Sequence, residues 1–288
     1  MNYFALLLLF QIIASISHIF SKQLITHLSP EVILLLRCGM TALIFIIIFI
    51  VKRKKIVIKL KLYDALLLFV LGVLSVPLNQ YLATAAFLYT YPPNIALSYA
   101  LLPVLVLIFS IIIINEKPTI IKTIGIILAF VGTVVIILEN GFDLASDNTK
   151  GNLMALGGCL AYVFYTILGK GFSIKYGAIY STGLAMIVGF ILYIPVFIFI
   201  GNPIEFKIIT TIDWLKIAYL AMLLSVLGYA IWYYALARTD PSKVAVFNNI
   251  QPVLTTILSV IFLQHSLSIT FIVGGLLIIS GVIFTQKG

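Results

Sequence analysis

Charge is scarce in this sequence. Only 9% of its 288 residues are Asp, Glu, Lys or Arg, against about a quarter in a soluble domain. Hydrophobic residues make up 62%, and the mean hydropathy is +1.21. No soluble core could hide that much apolar surface, whereas a bilayer accepts it without burying it. The nine Asp and Glu all fall in connections or at the ends of apolar runs. That leaves no deep carboxylate pair for an intramembrane hydrolase or lipid transferase, and no acidic proton relay. The chain also lacks H-E-x-x-H, G-x-x-x-x-G-K-[ST] and any filter-like loop. A zinc protease, a P-loop ATPase and a selective channel therefore find no support. Cysteine is nearly absent too: Cys38 and Cys159 each lie in an apolar run without a CxxC partner. Neither a disulfide framework nor a metal knuckle follows from that pattern, and no cofactor is expected.

The long apolar runs are what the sequence has in quantity. Spans of about 20 residues with short connections give roughly ten crossings in a chain of this length. They read as 3–20, 32–51, 65–88, 93–114, 119–138, 152–169, 178–200, 214–236, 243–263 and 268–285. The expected fold class is an all-α integral membrane protein with ten transmembrane helices. The first run lacks a basic start and an A-x-A-like site and is followed by further spans, so it reads as a retained helix rather than a signal peptide.

A net charge of +9 would suggest nucleic acid in a soluble chain. Its distribution here suggests membrane topology instead, and no nucleic-acid partner is expected. With the N-terminus inside, the inner connections and C-terminus hold Lys52, Arg53, Lys54, Lys55, Lys59, Lys61, Lys117, Lys122, Lys170, Lys175, Arg238, Lys243 and Lys287. The outer connections hold only Lys22, Lys150, Lys207 and Lys216. This asymmetry follows the positive-inside bias and predicts both termini on the cytoplasmic side of the cell membrane, with Lys52 to Lys61 anchoring beside anionic headgroups.

Sliding the chain against itself by 149 residues aligns Pro92 with Pro241, Ala96 with Ala245, Pro103 with Pro252, Ser110 with Ser259, Gly125 with Gly274 and Gly132 with Gly281. Coincident Pro and Gly are informative where Leu and Ile matches are not. The chain reads as two related halves, 1–140 and 151–288, each of five spans. Because five is odd, the second half must enter the membrane inverted, the plan of many secondary transporters.

Inversion predicts where a ligand would sit. Pro103 and Pro252 each lie about 15 Å along spans 4 and 9 at 1.5 Å per residue. Pro77 and Gly228 interrupt the third span of each half. Broken helices at matching places point to a binding site. Around them cluster Asn79, Gln80, Tyr81, Tyr99, Tyr229, Trp232, Asn248, Asn249 and Gln251. Amides at that depth need partners and are far less costly in a protein interior than in lipid. The amides and Tyr99 are candidate hydrogen-bonding groups, with Tyr81, Tyr229 and Trp232 as aromatic walls.

Arg37 is the one clearly embedded charge, about 9 Å into span 2 from its outer end. It has two readings: an anion partner for a carboxylate or phosphate, or a side chain that bonds helix-end carbonyls and snorkels outward. His18 likewise reads as a titrating group or a structural histidine. Glycines seven apart, Gly125 with Gly132 and Gly274 with Gly281, allow close helix packing, either inside the chain or at a seam between copies.

The residues resemble the ten-span EamA family of the drug/metabolite transporter superfamily over nearly the whole chain. Trp232-Tyr233-Tyr234-Ala235-Leu236, Gln251-Pro252-Val253, Gln264-His265 and Gly274 to Gly281 follow the family's second half. Leu36-Arg37, Leu102-Pro103-Val104, Asn115-Glu116-Lys117 and Gly125 to Gly132 follow its first half. Two departures stand out: His265 replaces the Glu before the last span, and Gln251 replaces the acidic residue of the polar-Pro step. The resemblance implies transport of small metabolites without naming the cargo.

The function expected is secondary transport of a small polar metabolite, an amino acid or related compound that is uncharged, zwitterionic or anionic. Alternating access around a cavity formed by spans 3, 4, 8 and 9 would move it. A lipid-linked-intermediate flippase and a broad-specificity drug exporter are the alternatives. The expected partners are the small-molecule substrate, the lipid bilayer, a coupling ion or counter-substrate, and a second copy in a homo-oligomer.

Overall fold

A computed structural model describes residues 3–51, 61–90, 95, 98–139, 149–201, 206–254 and 269–288. Every regular element among them is helical. Eight helices there are long and apolar enough to cross a bilayer: Tyr3–Leu24, Pro30–Val51, Leu62–Ala86, Ile120–Leu138, Thr149–Tyr176, Ala178–Ile200, Thr211–Leu236 and Ile269–Lys287. A shorter apolar helix spans Leu102–Ile114. The expected spans 93–114 and 243–263 fall partly outside the described residues, as do most of the basic run Lys52 to Lys61 and the Gln264-His265 step.

In chain order the helices are α1 (Tyr3–Leu24), α2 (Pro30–Val51), α3 (Leu62–Val73), α4 (Tyr81–Ala86), α5 (Leu102–Ile114) and α6 (Ile120–Glu139). The second half continues with α7 (Thr149–Tyr176), α8 (Ala178–Ile200), α9 (Thr211–Tyr219), α10 (Tyr229–Leu236), α11 (Pro241–Ala245) and α12 (Ile269–Lys287). Local chemistry sets the ends. Asn115, at φ 54°, closes α5 in the left-handed conformation that Asn tolerates better than most residues. Gly177, at φ 81°, is the single residue between α7 and α8. Thr210 and Asp213 form a reciprocal capping box at the start of α9.

The candidate spans Leu62–Ala86 and Thr211–Leu236 are both interrupted where the sequence points. The π-helical segment Leu74–Gln80 holds Pro77 and joins α3 to α4; a second one, Leu220–Gly228, ends on Gly228 and joins α9 to α10. Shifted by 149 residues, the first would fall on 223–229, overlapping the second. Such widened turns re-seat the carbonyls that a proline leaves unpaired and are common at functional sites. The described parts of the expected spans 93–114 and 243–263 are interrupted as well. A turn at Leu101 precedes Pro103 in the first turn of α5. The 3-10 segment Val246–Asn249 follows α11, and residues 250–254 are helical again around Pro252.

Helices α6 and α12 pack antiparallel through their glycines. A Cβ on Gly125 would lie 2.6 Å from the Gly281 carbonyl oxygen, and one on Gly281 2.5 Å from that of Gly125. The seam is thus a contact inside the chain. Facing outward, Ile50, Ile112, Ile198 and Phe199 are two-thirds or more exposed, a surface that fits lipid and not water.

Candidate functional site

Most of the polar side chains singled out in the sequence converge on a cavity of about 460 Å³. Arg37, Asn79, Gln80, Tyr99, Tyr229, Asn248, Asn249 and Gln251 all line it. The broken helices bring them together: Asn79 and Gln80 end the first π segment, Tyr229 follows the second, and Asn248 and Asn249 end the 3-10 segment.

Asn79 is the hub. Its Nδ2 donates to the Tyr99 hydroxyl at 2.8 Å and to the Gly158 carbonyl at 3.0 Å, while its Oδ1 accepts from the Tyr229 hydroxyl at 3.1 Å. A Cβ on Gly158 would lie 3.0 Å from the Tyr99 hydroxyl, so a glycine in α7 lets this knot close. Gln80 Nε2 lies 3.5 Å from Met186 Sδ, and its Oε1 faces the Cys38 thiol at 3.6 Å. Gln11 Nε2 donates to Asn248 Oδ1 at 3.3 Å, tying α1 to the 3-10 segment. Asn249 differs from these amides: it is 1% exposed, and among the described residues neither its Nδ2 nor its Oδ1 has a partner.

Tyr81 and Trp232 are not among the lining residues. Tyr81 donates to Glu31 Oε1 at 3.1 Å and packs on Tyr193, centroids 6.0 Å apart. Trp232 is fully buried, with its Nε1 donating to Thr166 Oγ1 at 3.1 Å. It stacks behind Tyr162 at 5.2 Å. Tyr162 is itself a wall of the cavity, as are Phe10, His18, Thr84, Phe87 and Thr133. Helices α1, α6 and α7 thus join the spans 3, 4, 8 and 9 expected from the sequence. Gln11, a lone amide midway along an apolar run, and Tyr162 with Tyr165, spaced three apart, were the available signals for α1 and α7.

The cavity's charges are of one sign. Arg37 and Lys22 are its charged lining residues, and no Asp or Glu lines it among the described residues. Arg37 is 7% exposed and held by a 2.8 Å bond from its Nε to Ser225 Oγ in the second π segment.

The two ends of the molecule differ. The cavity reaches Ser21, Lys22, Phe87 and Ile137, near the C-terminal ends of α1, α4 and α6. At the other end of α6, about 22 Å from Ile137 at 1.5 Å per residue, the Lys122 side chain is 2% exposed. Its Nζ lies 3.1 Å from Glu116 Oε1 and 2.9 Å from Asp240 Oδ2. Ser242 donates to the same Glu116 oxygen, and Lys170 stands 3.5 Å from Asp240 Oδ1. Burial opposes the charge on Asp240, but the bonds from Lys122 and the Lys170 ammonium overcome it and hold the carboxyl below the usual carboxylate range. This ionic clasp joins the α5–α6 turn to the α10–α11 connection.

Comparison with known proteins agrees with this architecture. The profile of the EamA-like transporter family matches twice, over residues 1–138 and 149–286. The chain is 28% identical over 287 residues to the uncharacterized transporter YyaM of Bacillus subtilis, covering 98% of this chain and 93% of that one. It is 28% identical over 266 residues to an uncharacterized transporter of Archaeoglobus fulgidus, covering 91% and 90%. A protein crystal structure superposes with a TM-score of 0.79 at 18% identity, over 99% of this chain and 95% of that one, which speaks to the fold alone.

Proposed function

This chain belongs to the EamA-like transporter family, and on that premise we propose that it is a secondary transporter carrying a small polar metabolite, an amino acid or related compound, across the cytoplasmic membrane by alternating access. Membership carries multi-pass membrane transport in general; the cargo and the mechanism are our reading. The observation that supports it most is the pairing of a largely apolar cavity carrying a few amides, hydroxyls and Arg37, open toward one end of α6, with a buried ionic clasp at the other. A site reachable from one side at a time is what alternating access requires.

Residues 1–140 and 151–288 act as two five-helix repeats of opposite topology, ten spans in all. The double family match supports this, as does the glycine seam, in which the two offset pairs meet crosswise, Gly125 against Gly281 and Gly132 against Gly274, as a two-fold relation of antiparallel helices requires. With both termini cytoplasmic, the clasp lies on the inner side and the cavity faces outward. Rocking the halves opens the α5–α6 turn from the α10–α11 connection, so each passage breaks the clasp. A gradient or exchange supplies the energy.

Asn248, Asn249, Asn79 and Gln80 supply hydrogen bonds to the cargo, and Tyr99, Tyr229 and Tyr162 form its walls. The test is a thermal-shift screen of the purified protein against amino acids, nucleosides, sugar phosphates and quaternary amines, followed by counterflow in proteoliposomes with any class that binds. The Asn248→Ala, Asn249→Ala pair is expected to abolish both signals. Transport that this pair leaves unchanged would place the site elsewhere.

A further inference from the structure

We infer that the cargo is an organic monoanion whose carboxylate docks on Arg37, and that Arg37 is the residue that makes the cavity select acids over their neutral analogues. This rests on the reading of the cavity as the transport site. A buried guanidinium is costly unless a counter-charge accompanies it. Arg37 has none from the protein: among the described residues its recorded bond is the one from Nε to the neutral Ser225 hydroxyl, and no carboxylate pairs with it. That bond fixes the side edge of the guanidinium and leaves its two terminal nitrogens as a fork, the geometry that takes a carboxylate in two parallel hydrogen bonds.

Asn249 independently points to a ligand. The residue is 1% exposed and is one of those lining the same cavity, yet among the described residues neither the donor nor the acceptor of its amide has a partner. A buried amide left unbonded is destabilising, and a bound molecule with one acceptor and one donor beyond its carboxylate would satisfy it. Charge balance selects the class. One buried cation matches one negative charge; Lys22, the other cation of the lining, is exposed. A phosphate monoester near −2 would leave a charge uncompensated. A cationic amine would meet Arg37 with no acidic side chain among the described lining residues to offset the repulsion.

The probes are acid and amide pairs of nearly equal shape: lactate with lactamide, N-acetylglycine with N-acetylglycinamide, and benzoate with benzamide. Binding to the detergent-purified full chain is read by thermal shift and by calorimetry. At least one acid is expected to bind about tenfold or more tightly than its amide, a difference of about 1.4 kcal/mol. Arg37→Gln is expected to erase that preference, while Arg37→Lys, which keeps the charge but loses the fork, retains part of it. Should Arg37→Gln fail to fold, Arg37→Lys and Ser225→Ala carry the test through a reduced acid-to-amide ratio. Asn249→Ala is expected to weaken acid and amide alike. Equal binding of acid and amide, lost in Asn249→Ala, would overturn the anion assignment and keep the cavity as the transport site. Acid preference that persists in Arg37→Gln would overturn the role of Arg37. Silence from every pair, with the protein folded, would overturn the monoanion, and the survival of the transport reading would then rest on the broader screen.

Discussion

Gly132 and Gly274 face each other so closely that neither has room for a side chain. A Cβ on Gly132 would lie 2.6 Å from the Gly274 carbonyl oxygen, and one on Gly274 2.9 Å from the Gly132 carbonyl oxygen. Both obstacles are backbone, so no rotamer change relieves them. Gly132→Ala and Gly274→Ala are each expected to push α6 and α12 apart and to destabilise the protein by about 1–3 kcal/mol, the usual range for overpacking. Gly275→Ala, one residue along α12 where a Cβ meets nothing within 4 Å, is expected to be nearly neutral. Thermal unfolding in detergent compares the three.

The clasp around Lys122 is expected to respond asymmetrically to substitution. Removing Glu116 takes one of two carboxylates from the buried Lys122 ammonium and leaves it only the partly exposed Asp240, a loss smaller than the cost of about 3–5 kcal/mol for a fully unpaired buried charge. Glu116→Gln is therefore expected to favour the conformation in which this end is open. Lys170→Gln, whose side chain is 24% exposed and 3.5 Å from Asp240, is expected to change little. Alkylation of a cysteine introduced at Ser242 measures the difference: faster in Glu116→Gln, near the parent rate in Lys170→Gln.

Acid is expected to weaken the clasp only at low pH. Asp240 is held below the usual carboxylate range, so its contribution is complete above the ordinary aspartate value of about 3.9 and is lost as pH falls through the lower folded-state value. The difference in melting temperature between the parent and Asp240→Asn should stay flat from about pH 8 to pH 5 and shrink below about pH 4. A difference that instead vanished near neutral pH would mean that Asp240 is not held by Lys122.

Two substitutions separate lining from support. Tyr81→Phe removes the bond to Glu31 and is expected to lower stability by about 1 kcal/mol while leaving ligand affinity unchanged. Asn79→Ala breaks the knot with Tyr99 and Tyr229 and is expected to lower affinity as well as stability. Calorimetry with any ligand found in the binding screens distinguishes them.

Breaks in helices were the legible part of this sequence. Pro77 and Gly228 mark the two π segments because a missing donor or a missing side chain is a local property that packing cannot disguise. Arg37 was legible because a charge inside an apolar run has few places to go. Helix faces were less legible. Tyr81 follows Gln80 by one residue, a turn of about 100°, which carries it from the cavity to the Glu31 side. When a span is apolar all round, no periodicity says which stripe faces inward; Trp232 therefore passed for a wall and Tyr162 went unnoticed. Lys122, expected as an inner-loop charge, lies in the first turn of α6 and is buried between Glu116, six residues back across the α5–α6 turn, and Asp240, 118 residues away, which only the tertiary fold brings to it.

The central claim, one site reached from one side at a time, is tested most directly by labelling Asn248→Cys, at a half-buried position of the cavity lining, with a membrane-impermeant thiol reagent. The background carries Cys38→Ala and Cys159→Ala, and the protein is oriented in vesicles of known sidedness. The account predicts labelling from the outer side in the otherwise unmodified background and a gain of labelling from the inner side when Glu116→Gln breaks the clasp. Labelling from both sides at once in the unmodified background, or no inner access once the clasp is broken, would contradict it.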